Sequence, residues 1–257
     1  MDGFVPARKK KQKKSKNSLD VIGNHKQRIE DIKFDICSTQ FFRETADSIK
    51  MVLQEKLTTA KKQSSNTDLV CYGLGNFMDS YIARYQLALL LALREELQIV
   101  EGCCEIYDPQ FVPEEGALLS ELNFTVLQHN QEGKRECIED RITVFYMPHC
   151  GKALYNNVLW RNWGQRLENI IVIGNSFTHM IENTPSRILE STANYVIKIQ
   201  PYTQETLLQV PSQYEDVFND TSIHTFRSHD LQNVPENFWQ NCPEPVYDPS
   251  DAEIIFS

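Results

Sequence analysis

The sequence predicts an α/β fold: a Rossmann-like three-layer sandwich with a mostly parallel sheet, a single domain between an N-terminal basic arm and an acidic C-terminal tail. Three observations lead there. Strand-like and helical segments alternate through the middle of the chain. The strand segments are continuously apolar rather than apolar at every second residue, which is the pattern of strands covered on both faces. Two of them, in "DLVCYGLGNF" (Asp68 to Phe77) and "FYMPHCGKALYNN" (Phe145 to Asn157), stop abruptly in polar, glycine-bearing loops that lead into helical patterns. At 257 residues and 41% hydrophobic content, the chain can bury the core of one large domain.

Taken in order, residues 1–36 are charged and weakly patterned and are expected to form a disordered basic arm. Its run "RKKKQKK" reads either as a nuclear-localisation patch or as solubilising charge. Residues 37–66 are assigned as an N-terminal helical segment packed on the domain, because Ile49, Val52, Leu53, Leu57 and Ala60 recur at three- and four-residue steps. Residues 67–200 form the α/β domain. Its segments are Leu69–Tyr72, Ser80–Val100, Cys104–Tyr107, Pro113–Glu121, Phe124–Leu127, Ile142–Met147, Lys152–Trp163, Ile170–Ile173, Arg187–Thr192 and Tyr195–Ile199. The link from Leu127 to Ile142 has room for only a short helix where a right-handed crossover is required, so a crossover and a local hairpin both remain open. Residues 201–257 carry prolines 211, 235, 243, 245 and 249 among many Asn, Gln, Asp and Glu, and are expected to be a partly ordered acidic segment.

Composition narrows the function classes. Seven basic residues against one acidic give the first sixteen residues a net charge of +6, which leaves −15 for the rest of a chain whose total is −9. A body that acidic repels phosphate backbones, so broad nucleic-acid binding by the domain is not expected. Seven cysteines without CxxC spacing, and no apolar leader-like stretch at the start, point to a reducing compartment; cytoplasmic residence is expected, with the nucleus open through the basic run. The longest apolar helical run, Leu87 to Leu93, falls far short of the roughly 20 residues a bilayer requires, so no membrane association is expected. No His, Cys or Asp pair has zinc-type spacing, and no metal is assigned.

In an open parallel sheet, ligands bind outside the carboxyl ends of the strands where the strand order reverses. With order 3-2-1-4-5, the first and fourth strands are neighbours and their exits face one another. Gly73 and Gly75 suit a tight turn at positive φ and close approach of a ligand to backbone amides, with Asn76 beside them; equally, they serve only the strand-to-helix turn. Asp108, in "IYDP", stands where such folds place an acidic residue against ribose hydroxyls, or else is a turn residue before Pro109. His149 and Cys150 are candidates for lining a pocket, for a nucleophilic pair, or for packing and helix capping. Asn175 and Ser176, in "VIGNSF", add hydrogen bonds to a ligand or begin the next helix. The eight residues Gly73, Gly75, Asn76, Asp108, His149, Cys150, Asn175 and Ser176 are therefore expected around one concavity that takes a small molecule. Catalytic residues and cofactor are not assigned.

The segments "YGLGNF...YQLALLLAL" from Tyr72, "IYDPQF" from Ile106, "NQEGKR" from Asn130, "FYMPHCGKALYNNVLWRNW" from Phe145 and "VIGNSF" from Val172, in that order, resemble the "sensitivity to red light reduced" family, most closely its animal SRR-like proteins. The resemblance implies a non-catalytic regulatory protein associated with haem biosynthesis and circadian clock gene expression. It carries over no catalytic residues and names no protein partners. Two alternatives stand beside it: an enzyme resembling adenosylmethionine-dependent methyltransferases, which also use a glycine loop after strand one and an acidic residue after strand two, and a protein-interaction scaffold. The haem association draws attention to Cys242-Pro243, but the acidic surroundings disfavour a thiolate ligand there.

Overall fold

A computed structural model describes residues 18–59, 66–235, 237–248 and 254–256. The strands are β1 (Thr67–Tyr72), β2 (Cys104–Tyr107), β3 (Thr125–Val126), β4 (Ile142–Met147), β5 (Ile170–Asn175), β6 (Thr203–Leu207) and β7 (Thr221–Phe226). They form one seven-stranded sheet in the order β3-β2-β1-β4-β5-β7-β6. The first five are parallel, with Leu69 opposite both Cys104 and Val144; β7 runs antiparallel to β5 and to β6. The expected neighbours β1 and β4 thus lie side by side at the centre.

Why the central strands are apolar throughout follows from the two cores. Along β1, Leu69 and Cys71 enter one hydrophobic cluster while Val70 and Tyr72 enter the other; along β4, Val144 and Tyr146 go one way and Phe145 and Met147 the other. Each face is roofed by helices, so the side chains of β1 and β4 are buried along their whole length. The first face is covered by α1 (Ser18–Cys37), α2 (Gln40–Thr59), α3 (Tyr81–Glu96), α4 (Pro113–Glu121) and α9 (Glu215–Phe218). The second is covered by α5 (Lys152–Arg161), α6 (Phe177–Glu182), α7 (Ser186–Thr192), α8 (Asn194–Ile199) and α10 (Ser228–Gln232). In α3 the run Leu87–Leu93 is buried throughout, and Ser80 caps it by accepting from the Ala83 amide at 3.3 Å. Among the described residues no helix is long and apolar enough to cross a membrane.

Three expectations are corrected and one open alternative is resolved. The stretch 18–36, assigned to a disordered arm, is helical: Ile29 and Ile36 are buried against the first face, and Lys33 pairs with Glu95 of α3 at 2.8 Å. Its apolar residues are few enough to be masked by charge, yet they fall on one side of the helix. The basic run itself lies outside the described residues. Residues 201–226 complete the sheet rather than trail from it; β7 is buried along its whole length although Ile223 and Phe226 are the only apolar residues of "TSIHTF". Tyr195–Ile199, the last segment of the expected alternation, is helix α8. The Leu127–Ile142 link is a crossover without a helix, since β2–β3 and β1–β4 both pair in parallel. Side chains of α5 hold this irregular link: Asn157 Nδ2 donates to Glu132 O at 2.7 Å, Asn162 Nδ2 donates to Arg135 O at 2.9 Å, and Asn162 Oδ1 accepts from the Cys137 amide at 2.8 Å. Backbone groups that a crossover helix would have satisfied internally are met by amide side chains instead.

Candidate functional site

At the carboxyl edge, the β1 exit turns through Gly73 (φ +68) and Gly75 (φ +79). Gly73 is required twice over, because a Cβ there would also sit 2.4 Å from Cys150 Sγ. The loop is then held by two carboxylates. Asp108 accepts from the Gly75 amide at 2.7 Å and from the Gln110 amide at 2.8 Å; Glu115, fully buried, accepts from the Met78 amide at 2.8 Å and the Val112 amide at 3.1 Å. Burial pushes the Glu115 carboxyl above its ordinary value. Asn76 folds back on its own turn, accepting from the Asp79 amide at 3.0 Å.

The β4 exit passes through His149 in the left-handed region (φ +58), an uncommon conformation for a residue with a Cβ. Asn175, at the neighbouring β5 exit, fixes this turn: its Oδ1 accepts from the His149 amide at 2.8 Å and its Nδ2 donates to Cys150 O at 3.4 Å. The turn drives Cys150 inward, where its thiol donates to Tyr72 O at 3.2 Å and burial raises its pKa far above the ordinary thiol range. Tyr155 of α5 braces the same corner, donating to Met147 O and accepting from the Asn175 amide at 2.8 Å. A Cβ at Gly174 would lie 2.5 Å from the Tyr155 hydroxyl oxygen, so that close approach requires the glycine. Ser176 is buried and caps α6, accepting from the His179 amide at 3.0 Å.

The expected residues therefore border two concavities, not one, with the His149–Gly151 turn as the ridge between them. The first, about 170 Å³, lies between the β1 and β4 exits and is bordered by Gly73, Asp108, His149 and Cys150 together with Asn130 and Ile254. The second, about 740 Å³, lies between the β4 and β5 exits and is bordered by His149, Cys150 and Asn175, joined by Lys152, His179 and Asp220. Gly75, Asn76 and Ser176 line neither; they shape the turns. The residues that sequence reasoning missed are His179 and Asp220, whose Nδ1 and Oδ1 atoms lie 2.5 Å apart. His179 stands in the first turn of α6, three residues past Ser176, and that proximity is a signal the sequence contained. Asp220 precedes β7 in a left-handed turn (φ +60), and its carbonyl accepts from the Ser176 amide at 2.8 Å. Among the described residues, no three His, Cys, Asp or Glu side chains are grouped as metal ligands.

Comparison with known proteins identifies the relatives of this chain. It is 43% identical over 153 residues to a mouse SRR1-like protein, covering 59% of this chain and 60% of that relative. It is 31% identical over 217 residues to a Drosophila melanogaster SRR1-like protein, covering 84% of this chain and 73% of the relative. It is 30% identical over 208 residues to the Arabidopsis thaliana protein SENSITIVITY TO RED LIGHT REDUCED 1, covering 79% and 74% respectively. No solved structure matches the chain. Residues 49–225, from the middle of α2 almost to the end of β7, match the SRR1 domain, and the chain belongs to that family.

Proposed function

We propose that this chain is a non-catalytic regulatory protein that binds a small polar ligand in the concavity between the β4 and β5 exits. The observation that carries the reading is the contrast in chemistry along one edge. The only thiol at the ridge is buried, protonated and bonded to Tyr72 O, unsuited to attack a substrate. The larger concavity beside it presents imidazole, amide and carboxylate groups that suit recognition of a polar molecule. The family resemblance extends this to a role in haem biosynthesis and in rhythmic or light-linked gene expression, and the name of the Arabidopsis relative supports the light-linked part. The basic run is consistent with activity in both cytoplasm and nucleus.

A methyltransferase-like reading draws on the glycine turn after β1 and Asp108 after β2. Against it, both Asp108 carboxylate oxygens already accept backbone amides, and the crevice beside them is small. Native mass spectrometry and thermal shift of the purified chain against nucleotides, adenosylmethionine, adenosylhomocysteine and haem test the reading. A ligand at one hundred times its Kd adds about 2.7 kcal/mol of stability. Stabilisation by a polar member of this panel, without turnover of it, supports ligand sensing; methyl transfer from adenosylmethionine would replace it with the enzyme.

A further inference from the structure

The smaller concavity is walled in part by the C-terminal segment of this same chain. Ile254 is 5% exposed; with Ile255 it borders the crevice, as do Tyr72, Gly73 and Cys150, and it packs with Ala153, Leu154 and Tyr247. Asn130 Nδ2 donates to Ile255 O at 2.5 Å, and Asn130 is itself set by accepting from the Glu132 amide at 2.9 Å. The approach to this seat is anchored separately. The Tyr247 hydroxyl accepts from Asn156 Nδ2 at 2.9 Å and donates to Asn157 Oδ1 at 2.8 Å on α5. Upstream, Tyr195 of α8 donates to Pro243 O at 2.7 Å and Trp160 of α5 to Cys242 O at 3.2 Å. Residues 242–247 are thus a docked strap, whereas the seat beyond them has one buried aliphatic side chain and one bond to a backbone carbonyl. Ile255 and Phe256 are 54% and 41% exposed, so the seat is shallow.

We propose that the edge of the β1/β4 crevice over Ala153, Leu154 and Tyr247 is a seat for a short aliphatic peptide segment, and that Ile254–Phe256 occupies this seat in cis as a releasable plug that walls off the crevice. The chemistry of the seat fits such an occupant. Ala153, Leu154 and Tyr247 accept an aliphatic side chain, and Asn130 offers a side-chain amide to a main-chain carbonyl, a contact indifferent to which residue supplies it. An anchored strap keeps the local concentration of the plug high, so a seat this slight is filled without strong contacts and is exchanged readily when a competing segment arrives. The inference concerns the opposite side of the His149–Gly151 ridge from the proposed ligand concavity and does not depend on any ligand being found there.

Cys150 provides the test, because it lines the crevice that the plug covers. In full-length protein carrying Cys242→Ser to remove the exposed thiol, labelling by N-ethylmaleimide is followed residue by residue with mass spectrometry, with and without Ile254→Glu. Buried Cys71 and Cys104 report any general loosening. The proposal expects Ile254→Glu to speed labelling at Cys150 by about tenfold or more while Cys71 and Cys104 keep their wild-type rates, as a local opening would. It also expects a synthetic peptide of residues 251–257 to slow labelling again. Removal of residues 249–257 should give the same acceleration. Equal Cys150 rates in wild type and both variants would overturn the proposal, as would a parallel rise at all three thiols.

Discussion

Either side of the His149–Gly151 ridge, the same sheet edge has two characters. Toward β1 the edge is tightly packed: Cys150 packs onto Gly73, Asp108 and Glu115 hold backbone amides, and Ile254 borders the small space that remains. Toward β5 it is open and polar, with His149, Asn175, His179 and Asp220 around a much larger concavity. The difference shows that recognisable motifs at a strand exit need not mark the ligand. The glycine turn and the acidic residue after β2, which carry a phosphate or ribose in nucleotide-binding folds, here bond chiefly to each other. What they build is a rigid corner, and the chemistry left over sits on its far side.

The filled side should break most severely. Gly73→Ala places a methyl group against Cys150 Sγ in a left-handed turn, and a loss of about 2–4 kcal/mol in urea unfolding is expected. Adding Cys150→Ala should recover part of that loss but not the part due to φ. At Gly75 an added Cβ would have the Ala83 methyl 3.8 Å away, ordinary contact, so the cost of Gly75→Val is at least the backbone strain, about 1–2 kcal/mol. It should still exceed Cys150→Ser, which preserves a donor to Tyr72 O and is expected to cost about 1 kcal/mol. If Cys150→Ser proved the more damaging, the thiol would have a role beyond packing.

On the open side stability should respond little. His179 and Asp220 are 46% and 37% exposed at the side chain, so Asp220→Asn is expected to change stability by less than about 1 kcal/mol. Smaller still is a pH effect at the ridge. Desolvation holds the His149 imidazole below its ordinary 6.5, outweighing the bond to Val217 backbone and the charge of Asp220. The folded state then binds fewer protons than the unfolded chain just under that value. The neutral ring's contribution is complete above 6.5 and declines as pH falls through it. His149→Asn, which tolerates the left-handed turn, should flatten this part of an unfolding-midpoint curve between pH values near 5 and 7; an unchanged slope would assign the effect elsewhere.

This division also explains what was legible in the sequence. β1, β4 and β5 stood out because burial on both faces makes a strand nearly apolar throughout, and with the short β2 their exits located Gly73, Asp108, His149 and Asn175 on one edge. β7 was not legible, because Thr221, Ser222 and Thr225 are buried without looking apolar. With β7 unrecognised, Asp220 could not be placed, and so neither could its pairing with His179 across 41 residues. Helix α1 was hidden by charge, since a helix that buries only one narrow side needs few apolar residues. The split into two concavities depends on Cys150 turning inward, a consequence of the left-handed His149 that no spacing rule announces.

The account rests on the β4/β5 concavity being the one that binds. Thermal shift of wild type, His179→Ala and Asn130→Ala against one ligand panel tests this directly, since His179 borders only the β4/β5 concavity and Asn130 only the β1/β4 crevice. The ligand that stabilises wild type is predicted to lose its effect in His179→Ala and to keep it in Asn130→Ala. Retention in His179→Ala with loss in Asn130→Ala would contradict the account and return the ligand to the β1/β4 crevice.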